Sequence, residues 1–292
     1  MPRFVILSAV LLMIPSAFSQ QCRVQFDARV PAGSKPGSFD AKTSVFRTDA
    51  VIGEVIQMTN LWSIALGLKF SDVLTLPPVV PSIFDVKTIP VEVSITDKSI
   101  FNHQTGFRRC ELLPESVDVD DPSTEGIKTV HFSVMQNSMK PINITHEYQL
   151  AFMEDKEFTT NQWVLKTGTI AGQKQDPNDL VLLGNVKDGE VLFTTPFTEN
   201  VFHNFALTLD FNDNHITVFY SKGSSPLQNV LTRTPNDLTG RGEYHFGILK
   251  KGLGSSSDVT KNGIQEQGID EGMIFGGIFQ EDSIDGCVST SA

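Results

Sequence analysis

Two glutamates set into alternating apolar runs are the residues of this chain best placed to do chemistry. In GFRRCELLP, residues 106–114, an extended backbone puts Phe107, Arg109, Glu111 and Leu113 on one face and Arg108, Cys110 and Leu112 on the other. Arg109 and Glu111 then lie side by side, and because burying unpaired charge is prohibitive they are expected in a groove or at open solvent. In HEYQLAFMED, residues 146–155, the same rule aligns His146, Tyr148, Leu150, Phe152 and Glu154. If both strands belong to one sheet, two carboxyls can point into a common cleft, the arrangement that general acid–base catalysis uses. A third group, His245, shares a face with Glu243, Gly247 and Leu249 in YHFGILK, residues 244–250. Duller readings exist for each: a surface ion pair for Arg109 and Glu111, a charged strand end for Glu154 ahead of Asp155 and Glu157, and a satisfied core histidine for His245. His103, His131, His203 and His215 stay in that last class.

The elements that must hold these groups read as strands. Residues 24–30, 91–95, 129–135, 202–211, 216–221 and 272–279 alternate, with PAGSKPG (31–37) and Asn212-Asp213-Asn214 as turn punctuation. Gly276 and Gly277 mark a place where a neighbouring backbone or a ligand comes close. The best helical candidate is TNLWSIALG, residues 59–67, as a short helix or turn. DVDDPSTEG, 118–126, reads as a solvated loop without the ligand spacing of a calcium site. Many strands and few helices predict an all-β fold, a two-sheet antiparallel β-sandwich of jelly-roll type with few short helices. No linker or repeat interrupts it, so residues 20–292 are expected to form a single domain.

Residues 1–19 have Arg3 ahead of a short apolar run and end in Ala17-Phe18-Ser19, which predicts a secretory signal peptide and an extracellular protein. That run is too short for a bilayer span, and no later stretch approaches the roughly 20 apolar residues one needs. The 292-residue chain has 23 basic against 34 acidic side chains, a formal charge of −11, and loss of Arg3 makes it more negative by one. Such a surface disfavours nucleic acid, anionic membranes and acidic polysaccharides and suits a neutral partner. Acidity for solubility alone is the bland equivalent. Of the three cysteines, Cys22 and Cys287 are expected to pair and tie the ends of the domain together, with Cys110 a free thiol on the core side of its strand. No metal or other cofactor is expected. Asn143-Ile144-Thr145 is the only glycosylation sequon and favours an exposed loop.

RCELLP (109–114), EYQLAFME (147–154), FHNFALTLDF (202–211) and YHFGILK (244–250) occur in the same order as in glycoside hydrolase family 131, and the chain resembles that family over nearly its whole expected mature length. The resemblance implies a β-jelly-roll and a secreted fungal β-glucanase, inverting, acting on β-1,3-, β-1,6- and β-1,4-linked glucans. Position by position it places the family's two glutamates on Glu111 and Glu154, its arginine on Arg109 and its late histidine on His245. Cys110 stands where that family has threonine, Tyr148 where it has histidine, and Tyr244 and Lys250 where it has tryptophan and arginine.

Inversion at a glycosidic carbon needs a carboxylic acid to protonate the departing oxygen and a carboxylate, roughly 6.5–9.5 Å away, to activate water. Strands separated by one other provide that spacing. Glu154, beside Phe152 and Leu150, is expected to be the acid, and Glu111, held ionised by Arg109, the base; His245 orients one of them or a sugar hydroxyl. With two tryptophans and three tyrosines in the chain, Trp163 and Tyr148 are the candidate sugar platforms and Trp62 a packing residue. So few rings suggest a short or open cleft. The expected partner is therefore a neutral β-glucan, bound by a monomer. Two rivals remain: a glucan-binding protein that has lost turnover, and a polysaccharide lyase using His245, Tyr148 and Arg109, which the acidic charge disfavours.

Overall fold

The structure, a computed structural model, describes residues 22–47, 54–59, 62–114, 122–254 and 258–291. Residues 1–19, expected to be a signal peptide, and residues 118–121 of the acidic 118–126 stretch lie outside the described residues, as does the side chain of Trp62. In chain order the strands begin with β1 (Arg23–Asp27), β2 (Val30–Pro31), β3 (Glu54–Thr59), β4 (Trp62–Gly67), β5 (Leu74–Thr75), β6 (Thr88–Ile89) and β7 (Val91–Thr96). The middle of the chain supplies β8 (Phe107–Leu112), β9 (Ile127–Gln136), β10 (Glu147–Asp155), β11 (Asn161–Gly168), β12 (Asp179–Leu183) and β13 (Val191–Pro196). The last third adds β14 (His203–Asp210), β15 (His215–Lys222), β16 (Gln228–Pro235), β17 (Arg241–Lys251) and β18 (Asp270–Asp282).

Two antiparallel sheets form the expected sandwich. One runs β16-β15-β14-β9-β18-β7-β5, with β1 also on β18; the other runs β13-β12-β11-β10-β17-β8. The core lies between their inner faces, where Phe132, Val134 and Phe205 meet Leu150, Trp163 and Phe246. Non-local pairs such as β9 with β18 put most contacts far apart in sequence, so the sheets form only once distant segments meet.

Several local readings change. The described part of the 59–67 stretch is not helical: Trp62–Gly67 is a strand paired with Glu54–Thr59, as suits a segment of isoleucine, tryptophan and leucine. The described end of the acidic loop is packed rather than solvated, since Ser123 and Thr124 are buried and Tyr244 Oη donates to the Ser123 carbonyl at 3.0 Å. Gly276 and Gly277 sit at a break in register, and the close neighbour is the loop over that face: the Gly277 N–H donates to Asp85 Oδ1 at 3.1 Å and Phe84 packs across it. Cys22 and Cys287 are bonded, with Cα atoms 5.6 Å apart, while Cys110 is a buried free thiol that burial pushes well above the ordinary thiol range.

Candidate active site

The three groups singled out above stand on three consecutive strands: Glu111 on β8, His245 on β17 and Glu154 on β10. Glu111 lies opposite Gly247 and Phe152 opposite His245 in register. Cys110 and Leu112 fill the core, so alternation turns Phe107, Arg109 and Glu111 to the outer face of the sheet. Gly247 lets β8 come this close: a Cβ there would lie 2.2 Å from the Cys110 carbonyl oxygen and 2.8 Å from Glu111 Cα.

Glu111 is not in a groove or at open solvent. It is fully buried, and its charge is paired on every side: Arg109 Nε donates to Oε1 at 2.8 Å, Arg109 Nη2 to Oε2 at 2.7 Å, and His245 Nδ1 lies 2.9 Å from Oε2. Burial works to raise its pKa, but the guanidinium and the imidazole more than offset it and hold the carboxyl below its usual range. A buried charge is tolerable here because the bidentate Arg109 and the imidazole replace its hydration.

The imidazole of His245 lies flat on Phe152, 4.5 Å between ring centres and 9° from parallel. Its far nitrogen, Nε2, is 3.5 Å from Glu154 Oε2. Glu154 is partly exposed and lines a hollow of about 380 Å³ with Gln104, Phe107, Arg109, Gln149 and Phe152. Burial raises its pKa; His245 and Arg109 pull the other way without prevailing, and Glu111 adds repulsion. The line Arg109, Glu111, His245, Glu154 thus ends on a carboxyl poised to hold a proton in a cleft, behind which an ionised carboxylate is fixed.

The sugar platforms chosen from sequence are not in this hollow. The alternation assumed for β10 breaks at an irregularity between Gln149 and Ala151, which turns Tyr148, Leu150, Ala151 and Met153 into the core and leaves Phe152 on the outer face. Tyr148 is fully buried and its hydroxyl donates to Glu271 Oε2 at 2.9 Å. Trp163 is fully buried and stacks on Phe132, with centroids 6.1 Å apart. Cys110, Tyr148, Tyr244 and Lys250, the four departures from the family pattern, all point into the sandwich; Lys250 is held there by Glu266 and Glu271. They change the packing behind the site and leave the wall of the hollow alone.

Besides Phe107 and Phe152, the hollow has an exposed ring, Phe158, which no alternation pattern marks. It is 66% exposed at the tip of the β10–β11 turn, with φ of 55°, a left-handed conformation unusual for a bulky residue. Asp155 builds the turn: its carboxylate accepts from Thr159 N at 2.7 Å, Thr159 Oγ1 at 2.7 Å and Thr160 N at 3.3 Å. Lys166 and Lys251 also line the hollow and were equally unmarked. Asn143 lies elsewhere, half-buried, its Oδ1 accepting from Thr145 Oγ1 at 2.8 Å and its Nδ2 donating to Glu266 at 3.1 Å.

Two solved structures superpose on 92% of this chain and 98% of their own length. One is the catalytic domain of the glycoside hydrolase family 131 protein from Coprinopsis cinerea, with a TM-score of 0.67 and 20% identity. The other is a GH131 beta-glucanase catalytic domain from Podospora anserina, with a TM-score of 0.68 and 19% identity. At these identities they speak for the fold. No curated protein matches the chain. The glycoside hydrolase 131 catalytic N-terminal domain matches residues 24–286, almost the entire described chain. The chain therefore belongs to the glycoside hydrolase 131 family, and it is a glycoside hydrolase.

Proposed function

We propose that this protein hydrolyses β-linked glucans by a single displacement with inversion, Glu154 being the proton donor. The observation that carries the reading is the position of Glu154: the one carboxyl among the described residues lining the hollow, with its pKa raised by burial. A retaining enzyme needs a second carboxyl that can bond to the sugar carbon about 5–5.5 Å from the acid. Glu111 has no exposed surface and both its oxygens are occupied, so it cannot be that nucleophile.

Its burial also revises the role expected of Glu111, because it cannot touch the attacking water directly. It acts through His245. The water oxygen bonds to the anomeric carbon as the bond to the departing oxygen breaks; Glu154 gives its proton to that oxygen, the attacking water releases one to solvent in the open hollow, and Glu111 with His245 fixes and polarises Glu154 from behind. The contacts of 2.9 and 3.5 Å on either side of the ring put one imidazole between the two carboxyls. Phe158 offers its face to a pyranose beside the acid.

The test is hydrolysis of a panel of β-1,3-, β-1,6- and β-1,4-linked glucans with the product anomer read by NMR. Glu154→Gln should abolish release of reducing ends. Glu111→Gln and His245→Ala should each cost nearly as much as both together, since groups acting as one unit are not additive. A β product, or independent effects of Glu111 and His245, would contradict the scheme. The proposal extends to secretion, which the Cys22–Cys287 bond supports because disulfides persist in oxidising compartments. It extends also to a glycan on Asn143 Nδ2, which would leave the second hydrogen of that amide for Glu266. A mass shift on glycosidase treatment of the secreted protein checks it.

A further inference from the structure

The hollow is charged in a way the neutral-glucan reading does not use. Three cations line it, Arg109, Lys166 and Lys251, against the single carboxyl Glu154. Arg109 is matched by Glu111 behind it. Lys166 and Lys251 share one partner: both Nζ atoms lie 2.7 Å from the same oxygen, Glu147 Oε1. The other carboxylate oxygen of Glu147 is taken by the Ala171 N–H at 3.1 Å. Arg109, Lys166 and Lys251 thus have two buried carboxylates between them, Glu111 and Glu147, and leave one positive charge in excess at the lysine end of the hollow, within a protein of formal charge −11.

The excess is built in and off-centre. Lys166 is buried and Lys251 only partly exposed, so both have given up much of their hydration without gaining a full counter-charge. Burial holds Lys166 below the usual lysine range, and the neighbouring Lys251 adds to that effect. Glu147 and Glu154 stand seven residues apart on one strand, and Lys166 pairs with Gln149 in register. The lysine pair therefore lies beyond Gln149, towards the opposite end of the hollow from the acid. Leu249 and Phe107 flank the route between them.

We propose that Lys166 and Lys251 form a remote subsite for a carboxylate-bearing sugar unit, so that the preferred substrate is a β-glucan carrying acidic groups. This inference rests on the reading of the hollow as a glucan cleft and narrows its substrate class. Two sources supply such a group: a uronic acid unit within the chain, or an aldonic acid at an oxidised chain end. The overall negative charge keeps polyanions away from the rest of the surface, and a sparsely charged chain meets the lysine pair without that repulsion.

Binding, rather than turnover, tests it. Three oligosaccharides of one length, neutral, with one internal uronic acid unit, or with an aldonic acid end, are titrated calorimetrically into the Glu154→Gln protein. The same titrations follow in Glu154→Gln/Lys251→Gln. At least one acidic ligand should bind about tenfold more tightly than the neutral one, as a charge-assisted contact allows. The advantage should vanish in the double variant and shrink in roughly 0.5 M salt. Which acidic ligand gains identifies the source. Equal affinity for all three, or an advantage that survives Lys251→Gln or high salt, overturns the proposal. Because no bond is broken, the result is independent of whether the native protein cleaves any glucan, which is judged separately by product release.

Discussion

At Glu154 the carboxyl's pKa is raised because the cost of burying its charge outweighs the pull of His245 and Arg109. An acid catalyst with a raised pKa works below that pKa and fails above it. The alkaline limb of kcat/KM should therefore follow Glu154, falling as pH rises through a value above the ordinary glutamate range of about 4.3. The opposite sign holds for Glu111, whose lowered pKa keeps it ionised into more acidic solution. Arg109→Met strands that buried charge, so urea unfolding should show a loss of about 3–5 kcal/mol, the usual result of removing one member of a buried pair. Loss of activity without loss of stability would mean that the guanidinium serves substrate alone. Alternation picked out Glu111, Arg109 and His245 from the sequence, but it could not tell a charge in a groove from one sealed beneath it. That depends on whether Arg109 and His245 together saturate the carboxylate, which only the three-strand register shows.

Strands were legible wherever residue types alternate regularly, as in β9, β14, β15, β17 and β18, although most of β9, β17 and β18 is buried on both faces. They were misread where a local irregularity or a polar turn decides the face. The break at Leu150 in β10 moved Tyr148 from the expected cleft to the core, and no residue type at that position announces it. Phe158 escaped notice because it sits in a charged turn whose shape comes from Asp155. Phe158→Ala should raise KM several-fold on glucans with little change in kcat, consistent with loss of about 0.5–1.5 kcal/mol of ring contact. A lowered kcat with unchanged KM would place the ring at the reaction itself. Gly247→Ala should push β8 from β17 and separate Glu111 from His245, reducing activity and thermal stability together.

Across the whole molecule, the sandwich is closed by a bond joining residues 265 apart in sequence, so Cys22→Ala/Cys287→Ala should cost about 2–5 kcal/mol in reversible unfolding. Acid stability has a second whole-molecule cause. Glu147 is held at about 2 by Lys251 and Lys166 despite its burial, and Glu266 at about 2 chiefly through its bond from Lys250. A lowered folded pKa stabilises above the unfolded value near 4.3 and loses that contribution as pH falls towards 2. Unfolding free energy should thus drop steeply across that window, and Glu147→Gln should flatten the drop. Fold class and the pairing of the chain ends were readable from strand count and cysteine placement. The positive floor of the hollow was not, because Lys166 and Lys251 come from strands 85 residues apart in sequence and meet only at Glu147.

The claim on which the account turns is that Glu154 delivers a proton to the departing oxygen, and leaving-group chemistry tests it most directly. The measurement compares Glu154→Gln with the native protein on a β-glucan oligosaccharide and on its aryl glycoside, whose phenolate leaves without protonation. The account predicts a loss of at least about 10²–10⁴ in kcat on the oligosaccharide and a far smaller loss on the aryl substrate. Equal losses on both substrates, or none on either, would contradict it.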